Sequence, residues 1–566
     1  MPTRSAADNL RDARDLLVSF RTDHEGAATA FVWPEIEGPF NWAIDWFDPH
    51  ARGNQAPALV ILEEDGGSTT RTYDEMADRS DQLGRWLAGR GVSRGDAVML
   101  MLGNQVELWE SMLALIKIGA IILPTTVAIG GADLEDRLRR GSVTHVITTG
   151  EDAAKFADLS VSVSGIRIGN GPSGWAPYEE AFQTPAERMP HPGTHATDPL
   201  LHYFTSGTTT RPKLVEHTHA SYPVGHLSTM YWLGLRPGDV HLAISSPGWA
   251  KHAWSCFFAP WLAAATVFVY NYGRFDAERM LATIRTEGVT SFCAPPTVWR
   301  MLIQADLTAG AGSLREAVSA GEPLNPEVIA QVRAHWGLTI RDGYGQTEMT
   351  AVIANSPGQP IKDGAMGRPL PGCPVVLIDP LTGEPAGEGE ICIDLSQKPT
   401  NLMTGYVGDP ERTAEASIRG YFHTGDIAQR DDNGDLTYIG RTDDIFKASD
   451  YKISPFELES VLVEHHFVVE AAVVPAPDDL RLAVPKAYVT LAAGVQPTDE
   501  TAHAILLYAR NHLAPYQRVR RIEFGELPKT ISGKIRRVEL REREERLARG
   551  EETCQEWRDD GIREVP

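Results

Sequence analysis

At 566 residues the chain is longer than one hydrophobic core usually serves, so two or more domains are expected. A formal charge of −23, with 42% hydrophobic and 8% aromatic residues, describes a globular protein without a broad nucleic-acid or anionic-membrane surface. Five scattered cysteines (Cys256, Cys293, Cys373, Cys392, Cys554) give neither a disulfide framework nor a CxxC metal pair.

The first segment, "MPTRSAADNLRDARDLLVSF", alternates apolar and charged residues and does not read as a signal peptide. No apolar run is long enough to span a bilayer, and a cytoplasmic protein is expected. From 96 to 149 the pattern is β-α-β: "AVMLML", then a helix with Val106, Trp109, Leu113 and Ile116 on one stripe, then "AIILPTT", "LEDRLRRG" and "THVITT". Such alternation predicts helices covering a mostly parallel sheet, and it recurs between residues 238 and 345. From Gly358 short strands separated by glycine turns ("GCPVVLID", "GEICID", "GDLTYIG") predict a small antiparallel sheet or barrel. After "GRTDDIFK" a compact α+β unit follows, and "LREREERLARGEETCQEWRDDG" reads as a charged helix and tail with a solvated face. The expected fold is therefore α/β. A large N-terminal domain (1–441) contains layered α/β subdomains and the small antiparallel β subdomain. A small α+β domain (445–545) follows a junction at 442–444, and a charged tail (546–566) closes the chain.

Four short segments carry chemistry. "YFTSGTTTRPK" is not a Walker A loop, but its backbone amides, the hydroxyls of Thr205, Ser206, Thr208 and Thr209, and Lys213 suit phosphate oxygens. "RDGYGQTEMT" places Tyr344 to stack on a base, Thr347 to bind phosphate and Glu348 as a hard oxygen ligand for Mg²⁺. "YFHTGDIAQ" supplies Asp426 as an acceptor for ribose hydroxyls. "LPKTISGKIRR" supplies Lys534, a long cation on a turn.

In this order and spacing the four segments resemble the adenylate-forming superfamily over about residues 40–540, and the medium-chain acyl-CoA synthetase branch in particular. "GPFNWAIDWFD", "SSPGWAKHAWSCFFAPWLAAATVFVY" and "PFELESVLVEH" carry the closer likeness. The resemblance implies that Thr205, Ser206, Gly207, Thr208, Thr209, Thr210 and Lys213 wrap the β- and γ-phosphates of ATP. Ala320, Gly321, Glu322 and Pro323 would line the adenine, with Asp342, Gly343, Tyr344, Gly345, Gln346 and Thr347 on its other side and at the α-phosphate. Glu348 would hold Mg²⁺, Asp426 and Arg441 the ribose, and Lys534 would bridge the substrate carboxylate and the α-phosphate. Lys534, Lys213 and Thr347 form the expected catalytic set.

The implied activity is ligation of a carboxylic acid to coenzyme A through acyl-AMP, with a mobile C-terminal domain turning about a hinge at Asp443 between the two half-reactions. Thr210 and Asp450 stand where the family usually has glycine, and Lys452 where arginine is common. Gly345 replaces the tryptophan of acetyl-CoA synthetases. A medium-chain, branched or aryl-substituted monocarboxylate is expected, with Trp249, Trp254, Trp299, Phe292 and Cys293 as wall residues. "PKTISGK" also resembles a target of protein lysine acetyltransferases, which would act on Lys534. Two other readings remain open: an adenylating enzyme that loads a separate carrier protein, and a non-catalytic nucleotide or acyl sensor.

Overall fold

The structure is a computed structural model that describes residues 5–183, 185–205, 212–448, 451–478, 481–530 and 534–561. Two large sheets dominate it. The eight-stranded sheet is built on parallel strands Ala97–Met101, Ile121–Pro124, Val143–Thr149 and Ser164–Ile168. It ends in an antiparallel run of Pro199–Phe204, Leu214–Thr218 and Gly405–Tyr406. The nine-stranded sheet has a parallel centre, including Val240–Ala243, Ser291–Ala294, Glu316–Ala320 and Arg341–Gly345, with antiparallel strands at both edges.

Parallel strands need cover on both faces, which is why "AVMLM" is buried at every position. The helix Val106–Ile118 buries every residue except Glu107, far more than the single stripe its periodicity predicts. It is enclosed by the helix Tyr73–Gly89, two strands and the segment Trp42–Phe47. Its interior charges are paired: Glu110 takes Arg79 and the Tyr178 hydroxyl, and Lys117 lies 2.7 Å from Asp81 and 2.8 Å from Asp48. Gly119, at φ 81°, ends the helix in the left-handed region that glycine tolerates.

The third sheet is antiparallel and centred on Glu388–Asp394 and Tyr421–Arg430. Between these two strands the register shifts: Glu390 opposes Ile427 while Cys392 opposes His423, so four residues on one strand span two on the other. This bulge contains Gly425, at φ 77°, and Asp426.

From Phe446 the chain builds a separate core around Ile453, Leu458, Val473, Val489, Ile505 and Ile522. Described contacts joining this unit to the rest include the edge-on rings of Tyr438 and Phe456, 5.8 Å apart, and Asn325 donating to the Ser460 carbonyl.

The tail corrects the expectation of a solvated face. Helix Arg537–Ala548 buries Leu540 and Glu544, and Trp557–Arg558 returns as a strand antiparallel to Arg521–Phe524. The reason is a buried ammonium. Lys486 lies fully inside, and Glu544 (2.7 Å), Glu523 (2.9 Å) and Glu556 (3.3 Å) converge on it. Two of these three carboxylates belong to the segment read as solvated.

Candidate active site

A cavity of about 650 Å³ opens where the three sheets meet the C-terminal unit. Thr205 and Lys213 line it from the neck of the hairpin that joins Pro199–Phe204 to Leu214–Thr218. The Thr205 amide donates to the Lys213 carbonyl (2.9 Å), and the Lys213 amide donates back to Thr205 Oγ1 (3.2 Å). Ser206, Gly207, Thr208, Thr209 and Thr210 lie outside the described residues, as does Asp450. Gly321, Glu322 and Pro323 follow strand Glu316–Ala320, while Asp342 to Gly345 lie on the neighbouring strand and Gln346 to Glu348 just past its end; all of them line the cavity. Asp426 and Arg441 enter from the third sheet, and Lys534 from the C-terminal unit.

Asp426 is the most constrained of these groups. Its Oδ2 accepts from Tyr344 Oη (2.7 Å) and Gln346 Nε2 (2.6 Å), and its Oδ1 accepts from Tyr438 Oη (3.2 Å) and lies 3.6 Å from Arg441. Burial pushes this carboxyl up, against the pull of Arg441 and the three hydrogen bonds. A carboxylate has about four lone-pair sites, so Oδ1 is the oxygen with capacity for a further hydroxyl.

Glu348 is buried, with Oε1 accepting from Tyr406 Oη at 2.9 Å and lying 3.8 Å from Lys213 Nζ. Lys213 in turn donates to Tyr406 Oη (3.1 Å). Burial lowers the Lys213 pKa, while Glu348 raises it. Thr347 is fixed through its carbonyl, 2.8 Å from Nε2 of His217. Burial pushes His217 down to about 4, so the ring is neutral at pH 7 and Nε2–H can donate.

Sequence reading missed Tyr406, Tyr438 and His217, because each acts through a tertiary contact. The glycine-flanked "TGY" of Tyr406 was the one local signal.

Lys452 is exposed on strand Tyr451–Ile453 and does not line the cavity. Trp249 is half-buried and also outside the lining. Trp299 and Phe292 pack edge-on in a core cluster, with Trp299 donating to the Val318 carbonyl, so neither forms a pocket wall. Cys293 is fully buried.

Trp254 is different. A Cβ built on Gly345 would come within 2.5 Å of its indole and 2.4 Å of the Thr350 carbonyl. The space that glycine leaves is therefore filled by an indole from another element, held by its N–H donating to Tyr222 Oη at 2.8 Å.

Asp342 yields a pH prediction. It is buried, accepts from the Gly343 amide, and burial pushes its pKa up to about 7. Between the ordinary carboxylate range and about 7 the folded protein holds a proton that the unfolded chain releases, so stability falls as pH rises through that window. Asp342→Asn removes this loss. Its unfolding free energy relative to the parent should improve by up to about 4 kcal/mol between pH 4 and 7. Denaturant titration at both pH values measures it, and a constant difference would show that Asp342 ionises freely.

The chain belongs to the AMP-binding enzyme family: that family's pattern matches residues 47–407, and the pattern of the AMP-binding enzyme C-terminal domain matches residues 457–534. More particularly, it is 41% identical over 517 residues to 4-hydroxybutyrate–CoA ligase 1 of Metallosphaera sedula, spanning 89% of this chain and 91% of that one. It is 37% identical over 526 residues to the human mitochondrial acyl-coenzyme A synthetase ACSM4, 89% of this chain and 90% of that one. The crystal structure of the anthranilate CoA ligase AuaEII in complex with anthranoyl-AMP matches with a TM-score of 0.81 at 28% identity, covering 91% of this chain and 99% of that one. Among the described residues no helix is long and apolar enough to cross a membrane.

Proposed function

We propose that this enzyme activates a monocarboxylate with ATP, releasing pyrophosphate, and then transfers the acyl group from AMP to coenzyme A. The observation that carries the reading is one cavity lined by Lys213, Thr347, Glu348, Asp426 and, from a separately cored unit, Lys534. A carboxylate is a poor acyl donor because its leaving group would be oxide. Attack on the α-phosphorus gives a mixed anhydride, from which AMP departs readily. Two anions must meet in that step, so positioned cations supply most of the stabilisation. Lys213 would sit at the outer phosphates and Lys534 between the carboxylate and the α-phosphate, while Oδ1 of Asp426 accepts a ribose hydroxyl. Glu348, a single hard carboxylate beside the phosphate loop, suits Mg²⁺, which keeps several waters and phosphate oxygens as its other ligands. When bound, that ion would neutralise charge on the triphosphate.

In the arrangement described, Lys534 faces the cavity while Tyr451 and Lys452 are exposed. Turning the C-terminal unit about residues 442–444 would withdraw Lys534 and bring Tyr451 and Lys452 to the thiol's approach. Lys534 is itself exposed and so accessible to an acetyltransferase, whose action would remove the charge that adenylation uses.

The substrate class proposed is a medium-chain, branched or aryl-substituted acid with one carboxylate. Pyrophosphate exchange against a panel of such acids tests the first half-reaction, and acid-dependent exchange is expected. Its absence with every acid would favour a nucleotide sensor. AMP release that needs a pantetheinyl carrier protein rather than coenzyme A would favour the carrier-loading alternative.

A further inference from the structure

We propose that Glu390, Cys392 and His423, at the rim of the ATP cavity, form an inhibitory site for a borderline divalent ion of the Zn²⁺ type. Their ligand atoms, a carboxylate oxygen, a thiol sulfur and an imidazole nitrogen, all lie within 4.8 Å of one another. Cys392 and His423 are directly paired across the strands, with Sγ 3.5 Å from Nδ1, and Glu390 Oε2 lies 2.8 Å from the same nitrogen. One nitrogen facing both the sulfur and the carboxylate is not a relay geometry, which needs one partner on each ring nitrogen. Convergence of S, N and O on one point is what a tetrahedral ion requires. With Zn–S near 2.3 Å and Zn–N or Zn–O near 2.0–2.1 Å, ligand atoms stand about 3.3–3.6 Å apart. The sulfur–nitrogen spacing already fits, and the carboxylate–nitrogen contact must open by about half an ångström.

Access and valence also agree. Glu390 and His423 line the cavity, so an ion can arrive through it and keep a water as its fourth ligand. Cys392 is buried behind them and supplies the soft ligand that separates this site from the all-oxygen Mg²⁺ position. Binding converts the thiol to a thiolate, and its proton leaves to water.

Inhibition follows from the bulge. Glu390 Oε1 also accepts from the Gly425 amide (2.7 Å), and His423 begins the same four-residue excursion that ends past Asp426. Opening the Glu390–His423 contact therefore moves the segment that presents the ribose carboxylate. The expected signature is a raised KM for ATP with little change in kcat.

The test uses the full-length enzyme with Co²⁺ and Zn²⁺ as probes in excess Mg²⁺. The parent should bind one Co²⁺ with a thiolate-to-cobalt charge-transfer band, absent in Cys392→Ser and Cys392→Ala. Zn²⁺ should raise the KM for ATP in pyrophosphate exchange at concentrations at least tenfold lower for the parent than for either variant, whose metal-free activity should be unchanged. Should both Cys392 variants misfold, His423→Asn gives the same comparison through loss of the band. A band that persists without Cys392 or His423, a parent that shows none, or equal zinc sensitivity in parent and variants overturns the proposal.

Discussion

Lys534→Ala should lose acyl-AMP formation by a factor of at least about 10³, while transfer of a supplied acyl-AMP to coenzyme A stays within about threefold. Removing one cation from a site where two anions meet is worth on the order of 4 kcal/mol in the transition state. The second half-reaction has no such meeting of a carboxylate with a triphosphate. Truncation should leave in place the backbone bonds bracketing the 531–533 segment. Lys529 and Ile535 pair across its neck, the Thr530 amide donates to the Lys534 carbonyl (2.8 Å), and the Lys534 amide donates to Thr530 Oγ1 (3.1 Å). None of these bonds uses the ammonium. Pyrophosphate exchange and single-turnover thioester formation from synthetic acyl-AMP separate the two steps. Equal loss in both would mean that the lysine holds the C-terminal unit in place.

Trp254→Leu should move acid preference toward longer or bulkier chains. The indole packs against Gly345, which lines the cavity, so trimming it is expected to open volume at that wall. Each methylene newly buried is worth about 0.8 kcal/mol, and two or three of them shift the kcat/KM ratio of a longer to a shorter acid by about ten- to fiftyfold. Leucine keeps part of the packing and limits the destabilisation that complete truncation of a buried tryptophan brings. The reverse change, Gly345→Trp, is a poorer probe than sequence alone makes it seem, since its Cβ would collide with the Thr350 carbonyl before the ring found space. An unchanged chain-length profile in a folded, active Trp254→Leu enzyme would place the acyl group elsewhere.

The contrast between these two residues shows what a sequence can carry. Phosphate binding needs amides, hydroxyls and a cation within a few consecutive positions, so the segments ending at Lys213 and at Glu348 stood out as candidate motifs. Their partners did not. Tyr438, His217 and Tyr406 reach the site from strands whose periodicity records burial and not direction. The apolar wall failed for the same reason. Trp249, Trp254 and Trp299 look alike in a run of apolar letters, and only packing distinguishes the half-buried ring, the one against Gly345 and the one committed to a core. In the tail, dense charge read as solvent because a strand's worth of carboxylates around Lys486 has no local signature.

That tail bears on how the enzyme can be trimmed, tethered or fused. Lys534 is the last residue of the matched C-terminal pattern, which makes the positions just after it look like a natural place to cut. A cut there would strip Glu544 and Glu556 from the Lys486 ammonium and bare one side of strand Arg521–Phe524. A bare strand side invites another chain to add to it, and an ammonium left in a dry interior with fewer counter-charges favours unfolding. Shortened versions ending before Trp557 should therefore self-associate on storage, whereas attachments placed beyond Gly561 leave both the strand and its charge cluster whole.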